Sequence, residues 1–131
     1  MYTMMQVCRE LDMTYQTLKF YCNEGLVPNV KRDHNNRRVF DEKDVKWIKD
    51  LTCLKKCGMS IQEMKKYLEL CLQGEATIVS RKKMLARKQE ELRASIKELE
   101  DSISYIGWKQ NFYDDVLSGK RPYVSNLIRT A

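Results

Sequence analysis

At 131 residues the chain has room for one modest domain with an appendage, since a single hydrophobic core is typically built from roughly 100 to 150 residues, and that excludes a large catalytic domain. Hydrophobic content of 43% beside 32% charged residues belongs to a folded chain, and five Gly with two Pro leave long uninterrupted segments, so the fold class is mainly α with one short strand pair. A net charge of +6 favours a polyanionic partner, because Lys and Arg neutralise phosphates and release condensed counterions.

The first predicted helix runs from Met4 to Leu11, where Met4, Val7, Cys8 and Leu11 fall on one stripe. After Asp12 and Met13, Thr14 is the N-cap of a second helix, Tyr15 to Glu24, with Leu18, Tyr21 and Cys22 on one side and Gly25 ending it. Two short helices joined this tightly have the geometry of a helix-turn-helix. In that motif the start of the second helix reaches base edges while its neighbours fix phosphates, so Thr14, Tyr15, Gln16, Thr17, Lys19 and Tyr21 are candidate DNA contacts.

From Leu26 to Phe40 the helical period disappears. Val27-Pro28 forces extended backbone, the stretch Lys31 to Arg38 is polar and basic, and Val39-Phe40 returns to apolar. This predicts a hairpin, or wing, with Asn35-Asn36 at its tip because Asn tolerates the left-handed conformation of a tight turn. Such a run is a solvated basic turn in most proteins. Beside a helix-turn-helix, Lys31, Arg32, Arg37 and Arg38 become candidate phosphate contacts.

Asp41 caps the next helix, where Glu42 and Asp44 suit the positive end and Val45, Ile48, Leu51, Thr52 and Leu54 keep a helical face through Cys57, before Gly58 stops it. Ser60-Ile61-Gln62-Glu63 spells a capping box for a further amphipathic helix to about Gln73. Gly74 then marks a boundary, giving a DNA-binding domain over 1–74, a dimerisation helix over 75–117 and a tail over 118–131. Ile78, Leu85, Leu92, Leu99 and Ile106 recur every seven residues, with Ile96 and Ile103 between them, which is a coiled-coil seam. A helix of this length without an internal breaker cannot fold back on itself, so the seam calls for a second chain.

Other classes find little support in these residues. His34 stands alone in a basic turn and no Gly-rich phosphate loop occurs, so no catalytic constellation is visible and neither cofactor nor metal is expected. Apolar runs fall far short of the roughly 18 residues of a spanning helix, and no signal-peptide pattern opens the chain, so a cytoplasmic location is expected. Five Cys, an odd count outside any disulfide framework, suit a reducing compartment.

The stretch Thr17-Leu18-Lys19-Phe20-Tyr21-Cys22-Asn23-Glu24-Gly25-Leu26-Val27-Pro28, followed by Arg38-Val39-Phe40, the Asp41-Glu42-Lys43-Asp44-Val45 helix start and the Cys57-Gly58-Met59-Ser60-Ile61-Gln62-Glu63-Met64 turn, resembles the MerR family of bacterial transcription regulators. The resemblance covers residues 2 to 106. It implies a homodimer, held by an antiparallel coiled coil, that binds double-stranded promoter DNA at a pseudo-palindromic site. It also implies that the dimer untwists and bends the promoter so that RNA polymerase sees both elements aligned. Two positions depart from the family pattern: Lys19 stands where Arg is usual, and Asn35-Asn36-Arg37-Arg38 replaces Asn-Gly-Tyr-Arg at the wing tip.

Metal-sensing members of that family carry Cys in a loop after the coiled-coil helix, whereas every Cys here lies at or before position 71. Cys8 and Cys22 fall on core faces and read as small hydrophobes. Cys53 occupies the place of the single functional Cys in the aldehyde- and electrophile-responsive branch, whose context resembles Lys-Cys-Met-Arg-Asn-Ala-Gly and is here Thr52-Cys53-Leu54-Lys55-Lys56-Cys57-Gly58. Lys49, Lys55 and Lys56 lie close in sequence, and nearby cations raise thiol reactivity. Cys53 is therefore the sensor candidate, with a packed structural thiol as the alternative. A winged-helix architectural DNA-binding protein without a sensor is the alternative for the whole chain.

Overall fold

The structure is a computed structural model that describes residues 1–129. Its elements run β1 (Tyr2–Thr3), α1 (Met4–Leu11), α2 (Tyr15–Asn23), β2 (Lys31–Arg32), β3 (Arg38–Phe40), α3 (Glu42–Lys56), α4 (Ile61–Leu72), a 3-10 turn (Gly74–Thr77) and α5 (Ile78–Leu117). Local chemistry sets the boundaries. Thr3, Asp41 and Ser60 each accept from the N–H three residues on, and Gln6, Asp44 and Glu63 return the bond to the cap N–H, satisfying two amide donors that a helix start leaves unpaired. Thr14 caps α2 by accepting from the Thr17 N–H. At the far end of α3, Gly58 takes φ +84° and Met59 turns back to donate to the Leu54 carbonyl at 3.2 Å, the usual left-handed helix exit.

The sequence predicts a strand pair, and the structure has three strands, in the order β1-β3-β2, all antiparallel. Tyr2 pairs with Phe40 and Thr3 with Val39 on one side of β3, while Lys31 pairs with Val39 and Arg32 with Arg38 on the other. The extra strand is two residues long, too short for any alternation to register. The turn at Gly74–Thr77 is a second addition: Thr77 Oγ1 donates to the Gly74 carbonyl at 3.0 Å.

The chain divides into two compact units, Met1–Gln89 and the remainder from Glu90. In the first, Val7, Leu18, Leu26, Phe40, Ile48, Leu51 and Met64 are fully buried and gather α1, α2, β3, α3 and α4 around one core. Each such side chain contributes roughly 1.5–3 kcal/mol of burial. The Trp47 indole N–H donates to the Leu26 carbonyl at 2.7 Å and its ring stacks on Tyr67 with centroids 6.4 Å apart. That bond ties the segment entering the wing to α3. The opening turns of α5 belong to this unit, with Met84 against the core and Arg81 donating to the Gly74 carbonyl at 2.6 Å.

The second unit carries the rest of α5. Tyr105, Trp108 and Phe112 form a stacked row at 6.3 and 6.0 Å, and Arg121 returns to pair with Asp115 at 3.4 Å over the Phe112 ring. The last two residues of the 118–131 tail lie outside the described residues. Among the described residues no helix is long and apolar enough to cross a membrane.

Candidate nucleic-acid interface

The stripe that buries α2 decides what it offers outward. Leu18 is fully buried and Tyr21 only 3% exposed, which turns Tyr15, Gln16, Lys19 and Phe20 to solvent. Tyr15 is 45% exposed, large for an aromatic ring in a folded domain. Thr14 and Thr17 share a hydroxyl hydrogen bond at 2.8 Å, so both are engaged in holding the helix start. Tyr21 requires a correction: its ring is a core group that supports the helix, because the same helical turn that faces Leu18 inward takes Tyr21 with it. Phe20, equally exposed at 45%, was not picked out from sequence, although projecting α2 with Leu18, Tyr21 and Cys22 inward leaves it on the outer face.

The wing is built on one carboxylate. Asp33 Oδ1 accepts the Asn35 and Arg37 N–H groups, each at 2.9 Å. Its backbone N–H bonds the Arg37 carbonyl at 2.9 Å, and Asn36 takes φ +61° at the tip. The Arg37 N–H, followed by the Asn35 N–H, holds the Asp33 carboxyl below its ordinary range. Arg32 is turned onto the Asn36 carbonyl at 3.0 Å, and Arg38 donates to Asn23 Oδ1 of α2 at 2.7 Å. Among the described residues none holds the Arg37 guanidinium in an ion pair; it stands exposed at the tip.

Lys31, another candidate phosphate contact, is engaged within the protein. Its ammonium lies 3.0 Å from both Asp41 Oδ2 and Asp44 Oδ2 and donates to the Asn29 carbonyl at 2.9 Å. Those bonds, to Asp41 first and then Asp44, raise the Lys31 pKa, and Asp41 is held low chiefly by the Asp44 N–H and then by Lys31. Asp44 itself is 4% exposed. A cation so engaged is a wing anchor: it fastens β2 to the start of α3.

Tyr15, Arg32, Arg37 and Arg38 line one groove of about 510 Å³, together with Thr3 and Met5 from the chain start. Helix, wing and first strand thus converge on a cationic recess with an aromatic ring in it. Acceptor-rich phosphates fit such a lining, since Arg offers paired N–H groups in a planar fork. Away from this groove, Cys53 is exposed on α3, and the seven seam residues Ile78, Leu85, Leu92, Ile96, Leu99, Ile103 and Ile106 stand 39–70% exposed along α5. Burial raises the thiol pKa of Cys8 and Cys22, the latter against the lowering pull of Arg38 and Arg32.

Known proteins resemble the chain in both sequence and fold. A family model described as MerR HTH family regulatory protein matches residues 2–71, and one described as MerR, DNA binding, matches residues 45–106. The chain is 34% identical over 112 residues to an uncharacterized HTH-type transcriptional regulator of Haemophilus influenzae, covering 86% of this chain and 83% of that protein. It is 37% identical over 87 residues to the HTH-type transcriptional regulator AdhR of Bacillus subtilis, across 66% of this chain and 62% of AdhR. Among solved structures, HiNmlR, a MerR family regulator lacking the sensor domain and bound to promoter DNA, superposes with a TM-score of 0.72 at 32% identity, over 89% of this chain and 93% of that one.

Proposed function

The chain belongs to the MerR family of helix-turn-helix regulators and is a DNA-binding transcriptional regulator; from that premise we propose that two copies pair along α5 and set their grooves against promoter DNA. The groove that joins Tyr15 to Arg32, Arg37 and Arg38 is the observation that carries this reading. Lys19 and Arg37, held in no ion pair among the described residues, supply cations to the phosphates, Tyr15 and Gln16 face base edges, and Thr14 and Thr17 hold the helix start. Arg32 and Arg38 fix the wing from within and present their remaining N–H groups outward.

Pairing along α5 is supported by the exposed seam, since apolar side chains at heptad spacing gain roughly 1.5–3 kcal/mol each when a second helix buries them. On this reading 1–74 is the DNA-binding domain, 75–117 the dimerisation helix and 118–131 a tail. The homodimer bends and untwists a pseudo-palindromic promoter, at a cost of a few kcal/mol, and acts with RNA polymerase in the cytoplasm. It has no catalytic role. Exposure of Cys53 supports its part as the thiol that meets aldehydes or other electrophiles and shifts the dimer between two arrangements.

Sedimentation and fluorescence anisotropy on promoter duplexes test the proposal together: a dimer at micromolar concentration with strongly salt-dependent affinity is expected, and a monomer or a salt-insensitive binder ends it. The match over 93% of HiNmlR, a regulator lacking the sensor domain, favours one second reading, an architectural protein without a sensor. Open-complex formation on a long-spacer promoter separates the two, because only a regulator raises it and only a sensor loses its aldehyde response on Cys53→Ala.

A further inference from the structure

The end of α3 carries two thiols one helical turn apart. Cys53 is exposed and Cys57 half-buried, and the Cys57 N–H donates to the Cys53 carbonyl at 3.1 Å. At that spacing helix side chains are neighbours, with Cβ atoms roughly 5–6 Å apart. Across that separation a single atom bonded to both sulfurs can bridge the two side chains with no unwinding of the turn. The remaining cysteines, Cys8, Cys22 and Cys71, have no second cysteine at this spacing. In the electrophile-responsive pattern the position of Cys57 is Ala, so the second thiol is a property of this chain set against that pattern.

The surroundings leave the pair open and connected. Lys55 and Lys56 flank it on the exposed last turn, and the next residue, Gly58, offers its carbonyl to Lys88 Nζ at 3.5 Å, while Lys88 also pairs with Glu63 at 3.1 Å. Lys88 belongs to α5 and Glu63 to α4, so the turn after the thiols is where α3, α4 and the opening of α5 are fastened within the first unit.

We propose that Cys53 and Cys57 form a two-thiol binding site for a trivalent arsenical, a soft centre that prefers sulfur and makes two bonds to it. With a monosubstituted arsenical in its hydrated form, two arsenic–oxygen bonds break and two arsenic–sulfur bonds form. The two thiol protons leave with the two hydroxyls as two waters, and arsenic keeps its oxidation state, so no oxidant or reductant is consumed. The ring closes over the last turn of α3 and stiffens the stretch that ends at Gly58. Capture of an aldehyde needs Cys53 alone; this site needs both thiols and deepens the sensor reading by adding a ligand class to it.

The test titrates the full chain with phenylarsine oxide and reads native mass spectra. A one-to-one adduct lighter by one water than a single-thiol adduct is expected, stripped by a dithiol and retained against millimolar glutathione. Cys53→Ala and Cys57→Ala should each weaken binding by roughly 100-fold or more, the advantage of a second tethered contact, while Cys71→Ala leaves it unchanged. Unchanged affinity in Cys57→Ala, or an adduct of single-thiol mass in the unsubstituted chain, overturns the proposal. The aldehyde response of Cys53→Ala tests the sensor reading separately, and a chain that fails there yet binds the arsenical through both thiols upholds this site alone.

Discussion

Replacing Arg37 by Ala removes a guanidinium that no described residue holds in an ion pair, whereas replacing Lys31 by Ala removes an ammonium 3.0 Å from both Asp41 and Asp44. The two substitutions delete one positive charge each, and on the proposed reading only the first deletes a phosphate contact. With one Arg37 in each copy of a dimer, two contacts go, and at about 0.9 per contact the slope of log affinity against log salt falls by about 1.8. Between roughly 50 and 200 mM salt, that difference changes the ratio of unsubstituted to variant affinity by about 12-fold. Lys31→Ala lowers affinity by a factor that salt leaves alone, because it loosens the wing root. Fluorescence anisotropy of a labelled promoter duplex across that salt range reads both quantities. If Lys31→Ala flattens the slope as much as Arg37→Ala does, the assignment of Lys31 as an anchor is wrong.

Three further outcomes are expected. Leu99→Glu, at a seam position 64% exposed in the single chain, costs roughly 3 kcal/mol or more over two copies and raises the dimer dissociation constant by about 100-fold; sedimentation that still gives a tight dimer contradicts the seam. Trp47→Phe leaves the Leu26 carbonyl without the indole N–H that reaches it at 2.7 Å, which costs about 1–3 kcal/mol in a urea titration; an unmoved midpoint shows that water replaces the bond. Asp33 has a pKa lowered in the folded chain, so its contribution is present above the unfolded value, about pH 4, and is lost as pH falls through the folded one. Asp33→Asn keeps an acceptor oxygen and loses that titration, so its melting temperature should fall less steeply below about pH 4 than that of the unsubstituted chain; equal slopes refute the assignment.

Caps and stripes made most of the fold legible. Thr14, Asp41 and Ser60 mark helix starts because a short oxygen-bearing side chain must meet an unpaired N–H, and Met4, Val7 and Cys8 are buried as their spacing requires. Asn36 adopts the left-handed turn expected at the wing tip. What stayed hidden is pairwise. That Tyr2 and Thr3 become a strand depends on β3 lying beside them, a long-range event that two residues cannot announce. Lys31 looks like its basic neighbours until the chain brings Asp41 and Asp44 against it. Tyr21 sat on the buried stripe and among the contact candidates at once; its 3% exposure settles on the stripe.

The clasp of Lys31 on Asp41 and Asp44 has a bearing on protein engineering. Asp44 closes the capping box of α3 through the Asp41 N–H at 2.9 Å with the same oxygen that receives the lysine. A hairpin transplanted from a relative would therefore arrive unmoored unless its lysine and both aspartates travelled with it, and altering either aspartate would fray a helix as well as free a loop. Swapping specificity between such proteins calls for cutting the graft inside the hairpin, between Arg32 and Arg38, where the joints are the strand's own pairing.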